Sequence, residues 1–338
     1  MSKRLASYIW PIRMDMRGVG LACMAILACI AIPVHAQGAN SQDSAPTTPT
    51  APTTQTHETY AKPWQAVRAL LVAVKSGDPE RLRAVFGPGS DELIDSGDPV
   101  ADKKDRAGFL KAYQTKHALL ADGPDRKYLI VGEGNFQLPT PLVQQDGRWQ
   151  FDGAAGANEL VYQRIGRNEL DAIATCKGIV AAQIKYYAWN PEKNPVKSYA
   201  AKFMSDAGKR NGLYWPAKPG ARQSPAGPFV AQAEEEGYTT DDKTPYRGYY
   251  FRLLTAQGAA AKGGAKSYLT DGALTGGFAV VAWPAQYRAS GVMTFIVNQD
   301  GVVYQKDLGD DTEKLALGLT AYDPDTSWAA AESPPPGG

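Results

Sequence analysis

The chain has 338 residues, 43% of them apolar and 21% charged, with a formal net charge of +1. That balance excludes the basic surface that nucleic acid or an acidic membrane would need, so neither is an expected partner. Cysteine and histidine are scarce, three of each, which excludes a disulfide framework and a histidine-rich zinc site.

At the N-terminus, Lys3, Arg4, Arg13 and Arg17 precede an apolar run from Gly18 to Ile32, and Val34-His35-Ala36 supplies a small-x-small cleavage pattern. The run falls short of the ~20 residues that a bilayer span requires. Residues 1–36 therefore read as an export signal cut after Ala36, with Gln37 as the mature start and a periplasmic or secreted location. A lipoprotein reading would acylate Cys29 after Ile26-Leu27-Ala28, but apolar residues continue past it and Ala36 is the better cut. Met14 or Met16 are alternative starts. Loss of four basic residues and Asp15 turns the charge from +1 to −2. Cys23, Cys29 and His35 leave with the signal, so Cys176 stands alone and no intrachain disulfide is possible. Residues 37–61, rich in Ser, Thr, Pro and Gln, read as a disordered tether that carries His57. Residues 331–338, with Ser333-Pro334-Pro335-Pro336, read as a disordered tail.

The first folded region spans 62–157. Val67, Leu70, Leu71 and Val74 recur at helical spacing, and Gly77-Asp78-Pro79 ends that helix and caps the next. After Ser96-Gly97-Asp98-Pro99, a third helix is predicted over Asp102 to Leu120, with Phe109, Leu110, Tyr113 and His117 near one face. Strands follow at Lys127 to Val131 and Gln137 to Gln144, and Asp146-Gly147 turns into a third at Arg148 to Phe151. Helices followed by a curled antiparallel sheet resemble the cone of the nuclear-transport-factor-2-like superfamily, which implies a pocket or a dimerisation face. His117 near Asp122 or Asp125 is a candidate general base. A lone imidazole without a fixed partner reads more simply as a packed helix-edge side chain.

The second region spans 158–330. Leu170, Ile173, Cys176, Val180, Ile184 and Tyr187 form an apolar helix stripe, on which Cys176 reads as a small buried hydrophobe. Gly166 is predicted to interrupt the helix upstream, and Asn190-Pro191 to end it. A Pro- and Gly-rich loop holds Gly212-Leu213-Tyr214-Trp215-Pro216, and a short helix covers Phe229 to Glu236. Strands are expected at Tyr249 to Leu254, Gly276 to Trp283 and Val292 to Val297. Asn298-Gln299-Asp300-Gly301 turns the last into a fourth, Val302 to Lys306. A long helix feeding such a meander resembles the globular part of type IV pilins and pseudopilins, without their membrane-embedded half-helix.

Five blocks taken in order resemble one bacterial family, catalogued as domain of unknown function 2950. They are Ser96 to Asp102, Ile165 to Leu170, Gly212 to Pro216, Gly248 to Arg252 and Gly291 to Gly309. The resemblance covers Pro63 to Trp328 and implies an exported envelope protein without an assigned activity. Many relatives carry an acidic glycine-bearing loop after the long helix. Here Asn190 to Pro195 stands instead, so a calcium-type loop is not carried over.

Carboxylates offer several ambiguous clusters. Asp98, Asp102 and Asp105 could hold a cation, but helix capping accounts for them more simply. Asp310 and Asp311 pose the same choice, and Asp300-Gly301 is a turn signature. Asp307 with Asp310, or Glu169 with Asp171, would suit glycoside hydrolysis, yet no spacing fixes their separation. Ser290-Gly291 lacks a nucleophile elbow. No catalytic residue, metal ligand or cofactor is assigned, and the reading leans away from an enzyme.

Seventeen Tyr and seven Trp point instead to surfaces, since such rings bury area at little entropic cost. Tyr250 and Trp283 read as internal, whereas the loop pair Tyr214 and Trp215 is the binding candidate, with Arg167, Arg252 and Lys306 as ionic contacts. The expectation is an α+β protein of two domains, cone-like then pilin-like. Its expected role is a non-catalytic binding or assembly factor that meets an unknown envelope protein or glycan and forms a homo-oligomer. The alternatives are an envelope hydrolase acting through carboxylates, and a self-associating structural protein with open meander edges.

Overall fold

A computed structural model describes residues 57–218, 220–239 and 243–331. The expected export signal, residues 37–56 of the expected tether and residues 332–338 of the expected tail lie outside the described residues. Among the described residues no helix is long and apolar enough to cross a membrane.

Helix α1 (Pro63–Ser76) opens on proline and stops at Gly77, whose φ of 68° is left-handed. In α2 (Pro79–Phe86), Asp78 caps the first turn by accepting from Glu80 N at 3.0 Å. A single turn, α3 (Asp91–Ile94), leads to α4 (Pro99–Thr115). Helix α4 ends five residues earlier than its apolar content suggests. His117–Ala121 is strand β1, paired antiparallel with β2 (Arg126–Val131) in the register His117↔Val131. Ala118-Leu119-Leu120-Ala121 favours helix locally, but ladder pairing with β2 overrides that preference.

The strand expected over Gln137 to Gln144 is two, β3 (Phe136–Gln137) and β4 (Leu142–Gln145), separated by Pro139 and Pro141, which have no N–H to give a ladder. Asp146 (φ 50°) and Gly147 (φ 72°) are both left-handed, as a two-residue hairpin into β5 (Arg148–Phe151) requires. The sheet order is β1-β2-β4-β5, with β3 also on β2. The end of the expected tether belongs to this sheet. Tyr60 and Trp149 exchange backbone hydrogen bonds of 2.7 Å, Glu58 N donates to Ala84 O at 2.8 Å, and the Arg148 guanidinium donates to Thr59. These backbone pairs order residues that composition alone marks as loose, and His57 lies against Gly87.

Helix α5 (Gly153–Trp189) runs 37 residues without a break. Gly166 does not interrupt it; that position opens on empty space, with no atom within 4 Å of an added Cβ. Gly153 and Gly156 are needed, because a Cβ would lie 2.5 Å from Phe86 O and 2.3 Å from Thr140 N. The buried stripe is Ala172, Ile173, Cys176, Ile179, Val180, Gln183 and Tyr186. Leu170 and Ile184, expected inside, are 48% and 51% exposed. Gln183 takes the core position because its amide satisfies both backbone groups of Ala200, each at 2.9 Å. Asn190 ends the helix in the left-handed region, φ 49°.

The remaining elements are α6 (Gly227–Glu236), β6 (Tyr249–Leu254), β7 (Ala256–Gln257), β8 (Lys266–Ser267), β9 (Leu269–Thr270), β10 (Ala273–Leu274), β11 (Ala279–Pro284), β12 (Met293–Asn298), β13 (Val303–Asp307), α7 (Thr312–Gly318) and β14 (Ala329–Ala330). Antiparallel order β14-β13-β12-β11-β6 forms the second sheet, and β7 with β8 and β9 with β10 make two small ladders between β6 and β11. The Asn298 to Gly301 turn is present, with Gly301 at φ 78°.

The fold is α+β, with two apolar cores. Val67, Leu70, Phe86, Leu129, Leu142 and Phe151 anchor the first. In the second, Ile173, Cys176 and Tyr186 of α5 meet Tyr249, Val280 and Phe295. Leu160 of the same helix packs on the first core, so α5 serves both.

Polar side chains tie the two cores together. The fully buried Asp98 carboxylate accepts from Val100 N and Ala101 N at the start of α4, from Tyr238 OH at 3.0 Å and from Gly248 N at 2.8 Å. Arg164 donates to the carbonyls of Glu92 (2.7 Å), Leu93 (3.0 Å) and Ala289 (3.4 Å). Glu169 accepts from Val292 N and Met293 N, both at 3.0 Å, and Asn168 donates to Ser290 O at 2.9 Å.

Two outcomes follow. Asp98→Ala leaves buried donors unpaired, so chemical denaturation should show a loss of about 3 kcal/mol; a loss below about 1 kcal/mol would contradict the clasp. Burial first, and for Tyr238 also Asp98, holds Tyr186, Tyr238, Tyr249 and Tyr322 above the ordinary phenol value of 10.0, and Tyr268 at about 12. Their stabilisation is complete below pH 10 and disappears as pH rises through the folded values, since only the unfolded chain can release those protons. Phenolate absorbance followed with pH should therefore include a step above pH 10 that coincides with unfolding, and the absence of such a step would contradict the burial of these five rings.

Candidate binding surface

The five residues singled out in the sequence occupy four places, Tyr214 and Trp215 sharing one loop. Arg167, on α5, lies 3.5 Å from Asp105 of α4, and both side chains are more than half exposed. Arg252, on β6, donates through Nη2 to Ala316 O (2.8 Å), Leu317 O (3.3 Å) and Leu319 O (2.7 Å), capping the C-terminus of α7. Burial lowers its pKa, and the free ionic contact expected of it is instead a structural one. Lys306, on β13, donates to Ser327 Oγ at 2.8 Å and lies 5.8 Å from the Trp328 ring centre. Trp215 is 7% exposed and belongs to the second core, so it is not the exposed ring expected of that loop. Tyr214 is half-buried.

The loop around Tyr214 is held on the end of α5. Tyr214 N donates to Phe203 O (2.9 Å) and Ser205 N to Tyr214 O (2.8 Å), while Tyr186 OH reaches Arg210 O at 2.8 Å. Gly212 permits the close pass, because a Cβ there would lie 2.6 Å from the Met204 carbonyl carbon. Trp189, the last residue of α5, meets Trp215 at a ring-centre distance of 5.3 Å. Arg222 lies 4.1 Å over the Trp189 ring and Arg210 lies 5.7 Å over Trp215. Both arginines are exposed and have no ion-pair partner among the described residues. The result is two tilted indole rings in contact, each with a guanidinium group over it, and Tyr214 next to Trp215 in sequence. Such a stack can receive an anionic or planar group through charge and ring faces together.

Trp189, Arg210 and Arg222 escaped the sequence reading. Trp189 falls three residues after Tyr186, in phase with the buried stripe, and Arg210 sits five residues before Trp215. Those spacings were the available signal.

The candidate chemical groups are engaged elsewhere. Asp98 is the α4 cap and clasp, and Asp102 accepts from Ser96 N and Ser96 Oγ; burial raises the Asp102 pKa despite those bonds. Asp171 pairs with Arg247 at 2.9 Å, and Arg247 also holds Glu236. Burial raises Asp171, whereas at Glu236 burial is outweighed by Arg247 and the net shift is downward. Asp307 accepts from Tyr287 OH at 3.2 Å and Gly309 N at 2.8 Å. Ser290 Oγ exchanges hydrogen bonds with Gln286 backbone. His117 stacks on Tyr113 at 3.9 Å, meets the edge of Trp64, and its Nδ1 lies 2.9 Å from Tyr113 O. Among the described residues no group of three or more His, Cys, Asp or Glu could hold a metal.

Residues 57–331 match the family model described as Protein of unknown function (DUF2950). The chain belongs to this family. No curated protein and no solved structure matches it. The matched range of this DUF2950 chain takes in both cores, α5 and the indole–guanidinium stack.

Burial raises the Cys176 thiol to about 12, so a thiolate reagent should label the chain from Gln37, in which Cys176 is the one cysteine, only as it unfolds; rapid labelling of the native protein would place Cys176 elsewhere. Trp215→Ala should cost about 3–5 kcal/mol through the cavity it leaves, against less than about 1 kcal/mol for Tyr214→Ala. Equal losses in thermal or urea unfolding would contradict the different burial of the two rings.

Proposed function

We propose that this DUF2950 protein is a non-catalytic binding or assembly factor of the cell envelope, exported by its N-terminal signal, and that it meets its partner through the stack at the end of α5. The supporting observation is the arrangement of Arg222, Trp189, Trp215 and Arg210 beside Tyr214. Two guanidinium groups lie over indole rings, and neither has an ion-pair partner among the described residues. The loop is anchored by Gln183 and Tyr186 to the helix, so little order has to be gained on binding. A partner with acidic or planar groups, an envelope protein or an anionic glycan, fits that chemistry.

Of the carboxylates considered for a hydrolase, Glu169, Asp171 and Asp307 bond to backbone, arginine or tyrosine, which favours contact over chemistry as the reading. The test compares the chain from Gln37 with an Arg210→Ala, Arg222→Ala, Tyr214→Ala variant that leaves Trp215 in the core. Both are used to capture material from envelope extract and from isolated cell-wall glycan. A partner held by the wild type and bound about 30-fold more weakly by the variant, the loss of a contact worth ~2 kcal/mol, supports the assignment. Equal capture by both proteins, with the variant folded, removes this surface from the function.

A further inference from the structure

Strand β1 is an edge of the first sheet, and its outer side is open. Gly132 N donates to Lys116 O and Asp122 N to Arg126 O, so alternation along an antiparallel ladder turns the backbone groups of Ala118 and Leu120 toward β2. Those of His117, Leu119 and Ala121 then face outward, three N–H and three C=O groups with no backbone partner among the described residues. The other edge of this sheet is different, since β5 is covered by Tyr60. Natural edges are usually guarded by charge, proline or a bulge. The five residues of β1 contain no Lys, Arg, Asp, Glu or proline, and Leu120 is 51% exposed.

The charge sits at the two ends of the strand. Lys116 precedes it and Asp122 follows it, both exposed. We infer that β1 is the contact between two copies of this chain, paired antiparallel with Leu119 opposite Leu119 on the twofold axis. In that register His117 faces Ala121 of the other copy, and six backbone hydrogen bonds join the outward groups. On the outer face Leu120 lies opposite Ala118, and Lys116 opposite Asp122, each twice by symmetry. Sliding the register by two residues in either sense sets Lys116 against Leu120 or Asp122 against Ala118, so only the centred pairing matches charge with charge. Lys116 Nζ now donates to Asn135 Oδ1 at 2.6 Å and retains two further protons for a carboxylate.

Sedimentation and light scattering on the chain from Gln37, over a range of concentrations, read the association. The expected result is a dimer for the wild type and a monomer for Leu120→Lys, which places a charge in the seam. Lys116→Glu or Asp122→Lys alone sets like charges opposite each other twice and should weaken association about tenfold. The double swap Lys116→Glu, Asp122→Lys should restore it. Hydrogen exchange should protect the amides of His117, Leu119 and Ala121 only in the dimer. All three substituted positions are exposed, so circular dichroism and melting temperature should match the wild type and confirm folding. A wild type that stays monomeric overturns the inference, as does a dimer indifferent to Leu120→Lys and the single swaps. Protection of the three amides in a monomer, lost when residues 37–56 are removed, would assign the edge to the chain's own N-terminal segment and overturn it too. None of these readings involves Arg210 or Arg222, so failure here leaves the proposed partner surface untouched.

Discussion

A carboxylate removed from water is costly unless hydrogen bonds replace its hydration, and Asp98 is such a group. Its two oxygens gather four donors, two from its own turn and two from residues 140 and 150 positions further along the chain. Two of the donors start α4, one is the phenol of Tyr238 just after α6, and one is the backbone of Gly248 just before β6. The first core and the entry to the second sheet are thereby held by one side chain. Gly248 must be glycine for this: its φ is 79°, and a Cβ would lie 2.4 Å from Asn168 Nδ2. The same close approach brings Asn168, Arg164 and Glu169 of α5 onto the loop 289–293, where each bonds backbone groups that would otherwise be buried without partners.

These bonds explain why α5 is one helix. Its first turns pass so close to Phe86 and Thr140 that only glycine fits at 153 and 156, and its middle turns are fixed by the polar contacts to 289–293. A break at Gly166 would disconnect the two sets. Glycine in mid-helix costs about 1 kcal/mol relative to alanine, a small penalty beside the packing on either side of it.

Turn chemistry was legible in the sequence because it is local: Gly77-Asp78-Pro79, Asp146-Gly147, Asn190-Pro191 and Asn298 to Gly301 all do what their residue types dictate. The central strands were legible for the same reason, since β-branched and aromatic runs such as Val292 to Val297 have few alternatives. What failed depended on distant partners. Ala118 to Ala121 becomes a strand only because Arg126 to Val131 lies beside it. Gln183 is internal only because Ala200 meets its amide, and with Gln183 inside, the stripe rotates and Leu170 and Ile184 turn outward. The site suffered most from this limit. Tyr214-Trp215 was visible as a pair, but Trp215 turns inward against Trp189, and the arginines that cover the two rings come from either side of the loop.

That arrangement changes what the aromatic residues can do. A buried Trp215 contributes little contact area of its own, yet it fixes the plane of Trp189 and gives Arg210 a ring to lie on. The guanidinium groups, not the rings, then present the chemistry at the surface. A guanidinium lying over a ring keeps its in-plane N–H donors available while the ring occupies one face, so Arg210 and Arg222 can each meet a carboxylate or sulfate that approaches from the edge. Preset planes reduce the entropy lost on contact. A pair of isolated surface arginines would lack that advantage, and the indole pair beneath them is the physical reason this end of α5 is better suited to recognition than the solvated strand faces that carry Lys306 and its neighbours.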